Sequence, residues 1–315
     1  MKVDLKQLTK YNRIAIATHY RPDGDAIGSS IGLYYGFLQL GKEVEMLCEN
    51  PVPKKMRFLW GADKFKQTAS GKYDLVVFCD CSDISRVGDI NLDVRNCKVI
   101  AIDHHEGAQI KGENIYIDPK SPSASQLVLD VLRENNIPLN KDVANAIYTG
   151  LLTDTGKFAN TNVNAKVFTD AAYLVENGAE PSVISARVFD ALEGNKYKII
   201  AKALTDLKRI DNGKIAYYYL STQTLNSFDS TIENTEGVIS YALNIEGVQI
   251  AIGITDGKHK NEYKISLRSV KDVDVSRLAN YFGGGGHKQA SGCVLCGDYY
   301  DVLDRILFEA QKYTV

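Results

Sequence analysis

Residues 14–25 read IAIATHYRPDGD, and this stretch decides how the first half of the chain folds. Its first five residues are apolar or β-branched, which predicts a buried strand at residues 14–18. A helical pattern follows at residues 26–40. Three polar side chains lie between the strand and the helix: His19, Asp23 and Asp25. The carboxyl end of a strand in an open α/β sheet is where ligands bind, so this loop is a candidate site.

The same pattern recurs along the first half of the chain. Three further runs of apolar and β-branched residues predict buried strands at residues 44–48, 75–79 and 99–102. Helical patterns follow at residues 124–135 and 143–152. Continuous apolar runs are typical of parallel strands that are covered on both faces. We therefore predict an α/β domain with a doubly wound parallel sheet.

The second half of the chain has a different pattern of predicted helices and strands. A charged helical pattern at residues 195–209 precedes the turn signal Asp211-Asn212-Gly213, and short strand and helix patterns follow. The length of 315 residues also exceeds that of a typical single domain. We predict a first domain at residues 1–190, a helical linker at 191–212 and a smaller α+β domain at 213–315.

Composition and charge exclude several classes of protein. Apolar residues make up 44% and charged residues 24% of the chain, as in an ordinary globular protein, and the formal net charge is -2. The chain therefore lacks the positive field of a protein that grips long duplex nucleic acid. No apolar run reaches the roughly 20 residues that span a bilayer, and the N-terminus lacks a signal-peptide pattern. We expect a cytoplasmic protein with no membrane partner.

The six cysteines are scattered along a chain that is long enough to fold without disulfides, which fits a reducing compartment. Cys293 and Cys296 form a lone C-x-x-C pair. This pair has two interpretations, a structural zinc site or ordinary cysteines of a strand.

Candidate metal ligands follow three of the predicted strands. The positions at or just after the strand ends hold His19, Asp23, Asp25, Asp80, Asp103, His104 and His105. Asp154 adds a carboxylate after the helical pattern at residues 143–152. Three of the five histidines of the chain belong to this set, and adjacent histidines after an apolar strand have little packing reason. We expect these side chains to lie close together at one edge of the sheet.

Carboxylates and imidazoles together indicate a site for divalent cations. Hard cations prefer carboxylate oxygens, and imidazole ligands shift the preference toward manganese or another transition metal. A carboxylate such as Asp80 can bridge two ions about 4 Å apart, the spacing at which a shared water becomes a nucleophile. Each motif also has a simpler interpretation. Asp80 or Asp154 can serve as a helix cap or loop residue, and Asp23-Gly24-Asp25 can form a turn.

At these positions the sequence resembles the DHH phosphoesterases, a family named for the triplet seen here as Asp103-His104-His105. The motifs stand in the order of the family, no expected ligand is substituted, and the match covers nearly the whole chain. The resemblance implies two divalent cations, with manganese preferred and magnesium or cobalt as alternatives. It also implies that the first domain is the catalytic, metal-binding half.

The resemblance divides the ligands between the two ions. It assigns one ion to His19 and Asp23, the other to Asp25, His104 and Asp154, and a bridging position to Asp80. Asp103 is expected to orient a ligand histidine, as carboxylates commonly do. His105 is expected to face the substrate phosphate and to assist as a donor or acid. The implied catalytic residues are Asp80, Asp103, His104 and His105.

Residues 282–292, FGGGGHKQASG, resemble the signature of the DHHA1 domain, the substrate-binding half in the exonuclease and small-nucleotide branch of the family. Glycines let the backbone approach a phosphate closely, and their N–H groups can form an anion-binding nest. The implied substrate contacts are Arg268, Gly284, Gly285, Gly286, His287 and Ser125. Simpler interpretations are a flexible linker for the glycine run, an exposed position for Arg268 and N-capping for the segment around Ser125.

The resemblance is to the branch of bifunctional oligoribonucleases and 3'-phosphoadenosine-5'-phosphate phosphatases. It implies a manganese-dependent hydrolase whose partners are short RNA or small nucleotides, with a homodimer as one option for its assembly. A phosphodiesterase for cyclic di-AMP or its linear product is the nearest alternative. A nucleotide-binding regulatory protein is the alternative from another class, and the complete ligand set disfavours it.

Overall fold

The strand that leads to His19 lies in the middle of a parallel sheet. The computed structural model describes residues 4–105, 110, 115–190, 194–270 and 272–315, and its first compact unit spans Met1–Ala191. The described strands of this unit are β1 (Arg13–Ala17), β2 (Glu43–Leu47), β3 (Phe65–Lys66), β4 (Leu75–Cys79), β5 (Lys98–Asp103) and β6 (Ile115–Ile117). Their spatial order is β3-β2-β1-β4-β5-β6, and all of the pairings are parallel. This is the order of a doubly wound sheet, which confirms the predicted fold class.

Helices cover one face of this sheet. They are α1 (Gly24–Gln39), α2 (Ala124–Glu134), α3 (Lys141–Asp154), α4 (Ala165–Glu176) and α5 (Pro181–Ser185). Ile16 and Val77 of the sheet pack there in one core with Leu127 and Ile147. The opposite face packs against side chains of irregular segments, including Tyr73. Burial on both faces explains why the central strands read as continuous apolar runs.

A row of glycines lets α1 lie unusually close to α3 and α2. The row consists of Gly24, Gly28, Gly32 and Gly36, which recur at every fourth position and so share one face of the helix. A Cβ atom added at Gly28 would stand 2.3 Å from the carbonyl oxygen of Ala146 in α3. At Gly32 it would stand 2.8 Å from Cγ1 of Val128 in α2. The four-residue spacing of this row is visible in the sequence, but close helix packing was not predicted from it.

We expect Gly28→Ala to destabilise the protein by about 1–3 kcal/mol, because the new methyl group meets a main-chain oxygen that cannot rotate away. Alanine would otherwise favour a helix by up to about 1 kcal/mol. Gly194→Ala is the matched control, since a Cβ at this helical glycine meets no described atom within 4 Å. Urea unfolding of both variants measures the difference. Equal stability of the two variants would contradict close packing at Gly28.

The second unit, Leu192–Val315, is built on a mixed sheet. Its described strands are β7 (Lys208–Ile210), β8 (Ile215–Leu220), β9 (Ile250–Asp256), β10 (Glu262–Ser269), β11 (Gly285–His287) and β12 (Ala290–Cys296). Their order is β11-β12-β10-β9-β8-β7, with one parallel pairing, between β8 and β9. The helices are α6 (Gly194–Thr205), α7 (Thr222–Asn226), α8 (Val238–Leu243), α9 (Val275–Tyr281) and α10 (Tyr299–Ala310). Helices and mixed strands together make this an α+β unit.

The segment predicted as a helical linker, residues 191–212, contains α6 and β7. Ile199 and Ala203 of α6 are buried in one core with Tyr218 and Val238 of the second unit. Strand β7 pairs with β8 as the edge of the sheet. The polar composition of α6 concealed its apolar face. We therefore propose a boundary close to residue 192, with no separate linker domain.

Strand β12 settles the interpretation of the C-x-x-C pair. Cys293 is buried and Cys296 is exposed, because residues three apart on a strand face opposite sides of the sheet. The two thiols therefore do not share a zinc site. In the described ranges, no helix has the length and apolar character needed to cross a bilayer.

Candidate metal centre

The predicted ligands meet where the strand order reverses. Strand β1 pairs with β4, and β4 pairs with β5, so the carboxyl ends of these three strands lie side by side. His19 follows β1, Asp80 follows β4, and Asp103 is the last residue of β5. This topological switch point is where ligands bind in open α/β sheets.

Asp80 lies at the centre of the cluster. Its carboxylate is buried, with Oδ2 3.5 Å from His19 Nε2 and Oδ1 3.4 Å from His104 Nε2. The backbone of Asp80 is left-handed, with φ of 55°, and its N–H donates to the carbonyl oxygen of Ile102 at 2.9 Å. Aspartate is among the few residues that tolerate this conformation. The turn directs the carboxylate between the two imidazoles.

The ligand atoms form groups compact enough for a metal ion. Atoms within 4.8 Å of one another come from His19, Asp23 and Asp80 in one group and from Asp25, His104 and Asp154 in another. A third group meets the same distance limit with four residues, Asp80, Asp103, His104 and His105. The structure therefore brings together all six residues that the sequence analysis proposed as ligands.

Asp23 is both a helix cap and a candidate metal ligand. Its Oδ1 accepts hydrogen bonds from the N–H groups of Asp25 and Ala26, both at 3.0 Å, and so caps α1. The carboxylate also belongs to the first ligand group. Capping fixes its position beside His19, because the cap residue cannot move without releasing the helix N-terminus.

Asp25 is held by the N-terminus of another helix. Its carboxylate is fully buried and accepts hydrogen bonds from the N–H groups of Ala124, at 2.6 Å, and Ser125, at 2.8 Å. A helix N-terminus favours such a negative charge. Ser123 caps α2 by accepting a hydrogen bond from the N–H of Gln126, as the simpler interpretation of this segment predicted. Ser125 supports Asp25 through its backbone, and its substrate contact stays a prediction.

Asp154 is the last residue of α3, and its Oδ2 lies 3.1 Å from His104 Nε2. Gly150, one turn earlier, explains how α3 comes so near. A Cβ at Gly150 would stand 1.9 Å from Ser125 Oγ and 2.8 Å from Asp25 Oδ1. Only glycine lets α3 pack against the N-terminus of α2 and the buried carboxylate together. This role of Gly150 was not predicted from the sequence.

Hydrogen bonds fix the orientation of the histidines. His19 Nδ1 donates to the carbonyl oxygen of Tyr20 at 2.8 Å, which leaves Nε2 as the metal-binding nitrogen. His105 Nδ1 donates to Asp103 Oδ1 at 2.8 Å. The same oxygen accepts the N–H groups of His104 and His105 at 2.7 and 3.2 Å. Asp103 therefore organises the loop that presents both histidines.

The electrostatics of the cluster show an excess of negative charge. Burial alone lowers the pKa of His104, but the carboxylates of Asp154, Asp80 and Asp25 raise it to about 11. Burial raises the pKa of Asp25 well above its usual range, and the charges of Asp80 and Asp154 raise it further. Burial also favours the protonated form of Asp80, yet His104 and His19 lower its pKa overall. Cations at this point would balance the buried carboxylates.

The donor set fits divalent metals. Asp80 Oδ1 is buried and accepts no hydrogen bond from the part of the chain that the structure describes, so a lone pair points into the cluster. The remaining groups offer carboxylate oxygens and imidazole nitrogens, the mixture that manganese and similar ions accept. His19, Asp23, Asp25, Asp80, His104 and Asp154 could therefore hold cations here.

Two of the predicted substrate contacts lie on the same face of the second sheet. Arg268 of β10 and His287 of β11 are both directly opposite Ala290 of β12. Cross-strand partners share a face, so the two side chains stand in one row about 10 Å apart. Arg268 is half-buried, and its Nη1 donates to the carbonyl oxygen of Leu267 at 3.1 Å. His287 is exposed.

The glycine run forms a hairpin strand. Gly283 has φ of 75° and ends α9, and Gly286 has φ of 138°. A Cβ at Gly284 would stand 2.2 Å from the carbonyl oxygen of Gly292. At Gly285, however, the nearest described atom would be Asn280 Oδ1 at 3.7 Å. Pairing of β11 with β12 argues against a flexible linker, and Gly285 is the one glycine of the four that the local backbone does not require.

Known proteins share this combination of units. Residues 13–151 match the DHH family, N-terminal domain, and residues 212–314 match the DHHA1 domain. The chain is 30% identical over 300 residues to a bifunctional oligoribonuclease and PAP phosphatase NrnA from Thermus thermophilus. The match covers 93% of this chain and 88% of the relative. The Bacillus subtilis protein of the same name is 26% identical, over 99% of this chain and 98% of its own.

A solved structure extends the comparison. The exopolyphosphatase-related protein from Bacteroides fragilis matches with a TM-score of 0.89 and 25% identity, over 98% of this chain and 94% of that one. The chain belongs to the DHH family in its DHHA1-containing form, and it is a hydrolase that acts on phosphoester bonds.

Proposed function

We propose that this hydrolase degrades short oligoribonucleotides and removes the 3'-phosphate of 3'-phosphoadenosine-5'-phosphate, with two divalent cations and a preference for manganese. The observation that carries the proposal is the pair of ligand groups on either side of the buried Asp80 carboxylate. The names of the relatives from Thermus thermophilus and Bacillus subtilis support the choice of substrates.

The residues of the cluster divide the work of the reaction. Bound divalent cations would supply Lewis-acid activation of water and would neutralise charge on the phosphoryl group. Asp80, Asp25 and Asp154 bring the negative charge that attracts the cations. Asp103 holds the loop of His104 and His105 by three hydrogen bonds to one oxygen. His105 is partly exposed, so its ring is available to hydrogen-bond a substrate phosphate.

We further propose that Arg268, His287 and Gly285 bind the nucleotide. Arg268 forms no ion pair with any described residue, so its charge is available to a phosphate. Gly285 leaves open space on the hairpin, which allows a ligand to approach the backbone. The shared row of Arg268 and His287 supports a common ligand for both.

We expect Arg268→Ala and His287→Ala to lower kcat/KM for a dinucleotide by roughly ten- to a thousandfold, with bound-metal stoichiometry unchanged. Positioning contacts lower both binding and turnover, because the reacting phosphate is no longer aligned. A small activated ester such as nitrophenyl phosphate should be nearly indifferent to either change. His259→Ala, an exposed loop histidine, is the control. Equal losses on the dinucleotide and the small ester would contradict a nucleotide-binding role.

A substrate panel tests the proposed function itself. The purified protein is incubated with manganese and, separately, a diribonucleotide, adenosine 3',5'-bisphosphate and cyclic di-AMP, and kcat/KM is compared. We expect the first two to be preferred, and a two- to five-nucleotide RNA to outcompete a long strand, because the formal net charge of the chain is -2 and does not favour a long polyanion. A clear preference for cyclic di-AMP would replace the proposal with the alternative named above. A preference for long RNA would overturn it.

A further inference from the structure

Strand β10 carries a line of polar side chains on one face. Ile265 and Leu267 are buried in the core with α9 and α10. Alternate residues of a strand face opposite sides, so Lys264, Ser266 and Arg268 share the other face. Lys264 is exposed, whereas Ser266 and Arg268 are half-buried. The proposed phosphate ligand Arg268 is therefore one end of a longer polar line.

The neighbours of this line are small or uncharged. Ser266 lies between Gly253 of β9 and Gly292 of β12 in the register of the sheet. Lys264 lies between Thr255 and Val294, and the Val294 side chain is itself 53% exposed. Within the described residues Lys264 forms no ion pair, although Glu262 stands two positions earlier on the same face. The N–H of Lys258 donates to Glu262 Oε1 at 2.7 Å, so this carboxylate is already engaged by the neighbouring loop.

The spacing of the line suits a chain of phosphates. Residues two apart on a strand are about 7 Å apart, so Lys264 and Arg268 are separated by about 14 Å. A dinucleotide that is bound at Arg268 has no further phosphate to place beside Lys264. An oligonucleotide of four or five residues has phosphates that extend this far along the strand.

We propose that Lys264 binds a further phosphate of an oligoribonucleotide whose first nucleotides lie at Arg268 and His287. The inference rests on the proposed function and adds a length-dependent subsite to it. The hydroxyl of Ser266 lies between the side chains of Lys264 and Arg268. It can donate a hydrogen bond to the phosphate that lies between the two phosphates bound by these side chains. Oligonucleotides of four or five residues gain one charge-assisted contact at Lys264, whereas a dinucleotide and adenosine bisphosphate gain none.

The test compares Lys264→Gln with wild type on a pentaribonucleotide and a diribonucleotide, with manganese present. We expect kcat/KM for the pentaribonucleotide to fall about three- to thirtyfold, while kcat/KM for the diribonucleotide changes by less than about twofold. Loss of one phosphate contact should also make the dependence of log kcat/KM on log salt concentration shallower, by about 0.7 for a single strand. Lys264→Arg keeps the positive charge and should retain most of the wild-type kcat/KM for the pentaribonucleotide.

Lys208→Gln is the matched control, because it removes one exposed lysine charge from the edge strand β7, which lies three strands away from β10 in the same sheet. The inference is overturned if Lys264→Gln leaves the ratio of the two kcat/KM values at the wild-type level, or if it affects both substrates equally. If wild type hydrolyses neither RNA, the proposed function fails instead. If kcat/KM for the diribonucleotide depends on Arg268 and Lys264→Gln changes kcat/KM for neither RNA, the proposed function is retained and the Lys264 subsite is rejected.

Discussion

Asp80→Ala is expected to lower kcat by on the order of a thousandfold or more, the largest loss from a single side chain in this protein. The carboxylate stands between His19 and His104, at 3.5 and 3.4 Å, and these histidines belong to the two different proposed cation sites. Its removal therefore weakens both proposed cation sites together. A ligand such as Asp23 belongs to one group, so its loss should leave more activity.

The control for this prediction is Asp89→Ala, which removes an exposed carboxylate from the segment between β4 and β5. Asp89→Ala should keep near-normal kcat. Bound metal is measured in parallel by elemental analysis, and Asp80→Ala should have lost most of it. An Asp80→Ala enzyme with near-normal kcat and full metal content would place the shared ligand elsewhere.

Removal of metal should abolish turnover, and manganese should restore it. Without a cation, the clustered carboxylates of Asp25, Asp80 and Asp154 repel one another. Burial lowers the pKa of His104, but these carboxylates favour its protonated form and raise that pKa to about 11. We expect manganese to restore more activity than magnesium, because imidazole nitrogens are among the ligands. Full activity after exhaustive chelation, with metal content verified, would refute a metal-dependent reaction.

Manganese should also stabilise the metal-free protein against heat. A cation that binds only the folded state adds about 2.7 kcal/mol at a free concentration one hundred times its Kd. The same titration of Asp80→Ala should give a much smaller rise in Tm. This measurement is independent of activity, so it separates loss of metal binding from loss of catalysis.

The sequence was most informative where one strand leads directly into a charged loop. Residues 14–40 predicted β1, α1 and three candidate ligands, because apolar runs and helical periodicity are local properties. Asp80 and the Asp103-His104-His105 triplet followed by the same reasoning. The prediction that these side chains cluster at one edge of the sheet required only that the strands be parallel. The structure confirms parallel pairing of β1 with β4 and of β4 with β5.

Features that depend on contacts between distant segments were not predictable. Asp25 was proposed as a ligand, but nothing in its own neighbourhood shows that N–H groups about 100 residues later hold its carboxylate. Strand β11 was missed because a glycine run has no side-chain alternation to reveal a strand. Strand β3 has two residues, too few for any periodicity. Helix α6 was assigned to a linker because its lysines obscured Ile199 and Ala203.

The contacts that α2 and α3 make with Asp25 affect the order in which the site forms. During synthesis the loop after β1 emerges early, but its buried carboxylate gains its partners only when Ala124 and Ser125 have been made and packed. Asp154 and Gly150 come later still. Such non-local contacts form slowly and late in folding. We therefore expect a nascent chain to hold most of the ligands without the geometry to use them until α2 and α3 have packed around Asp25.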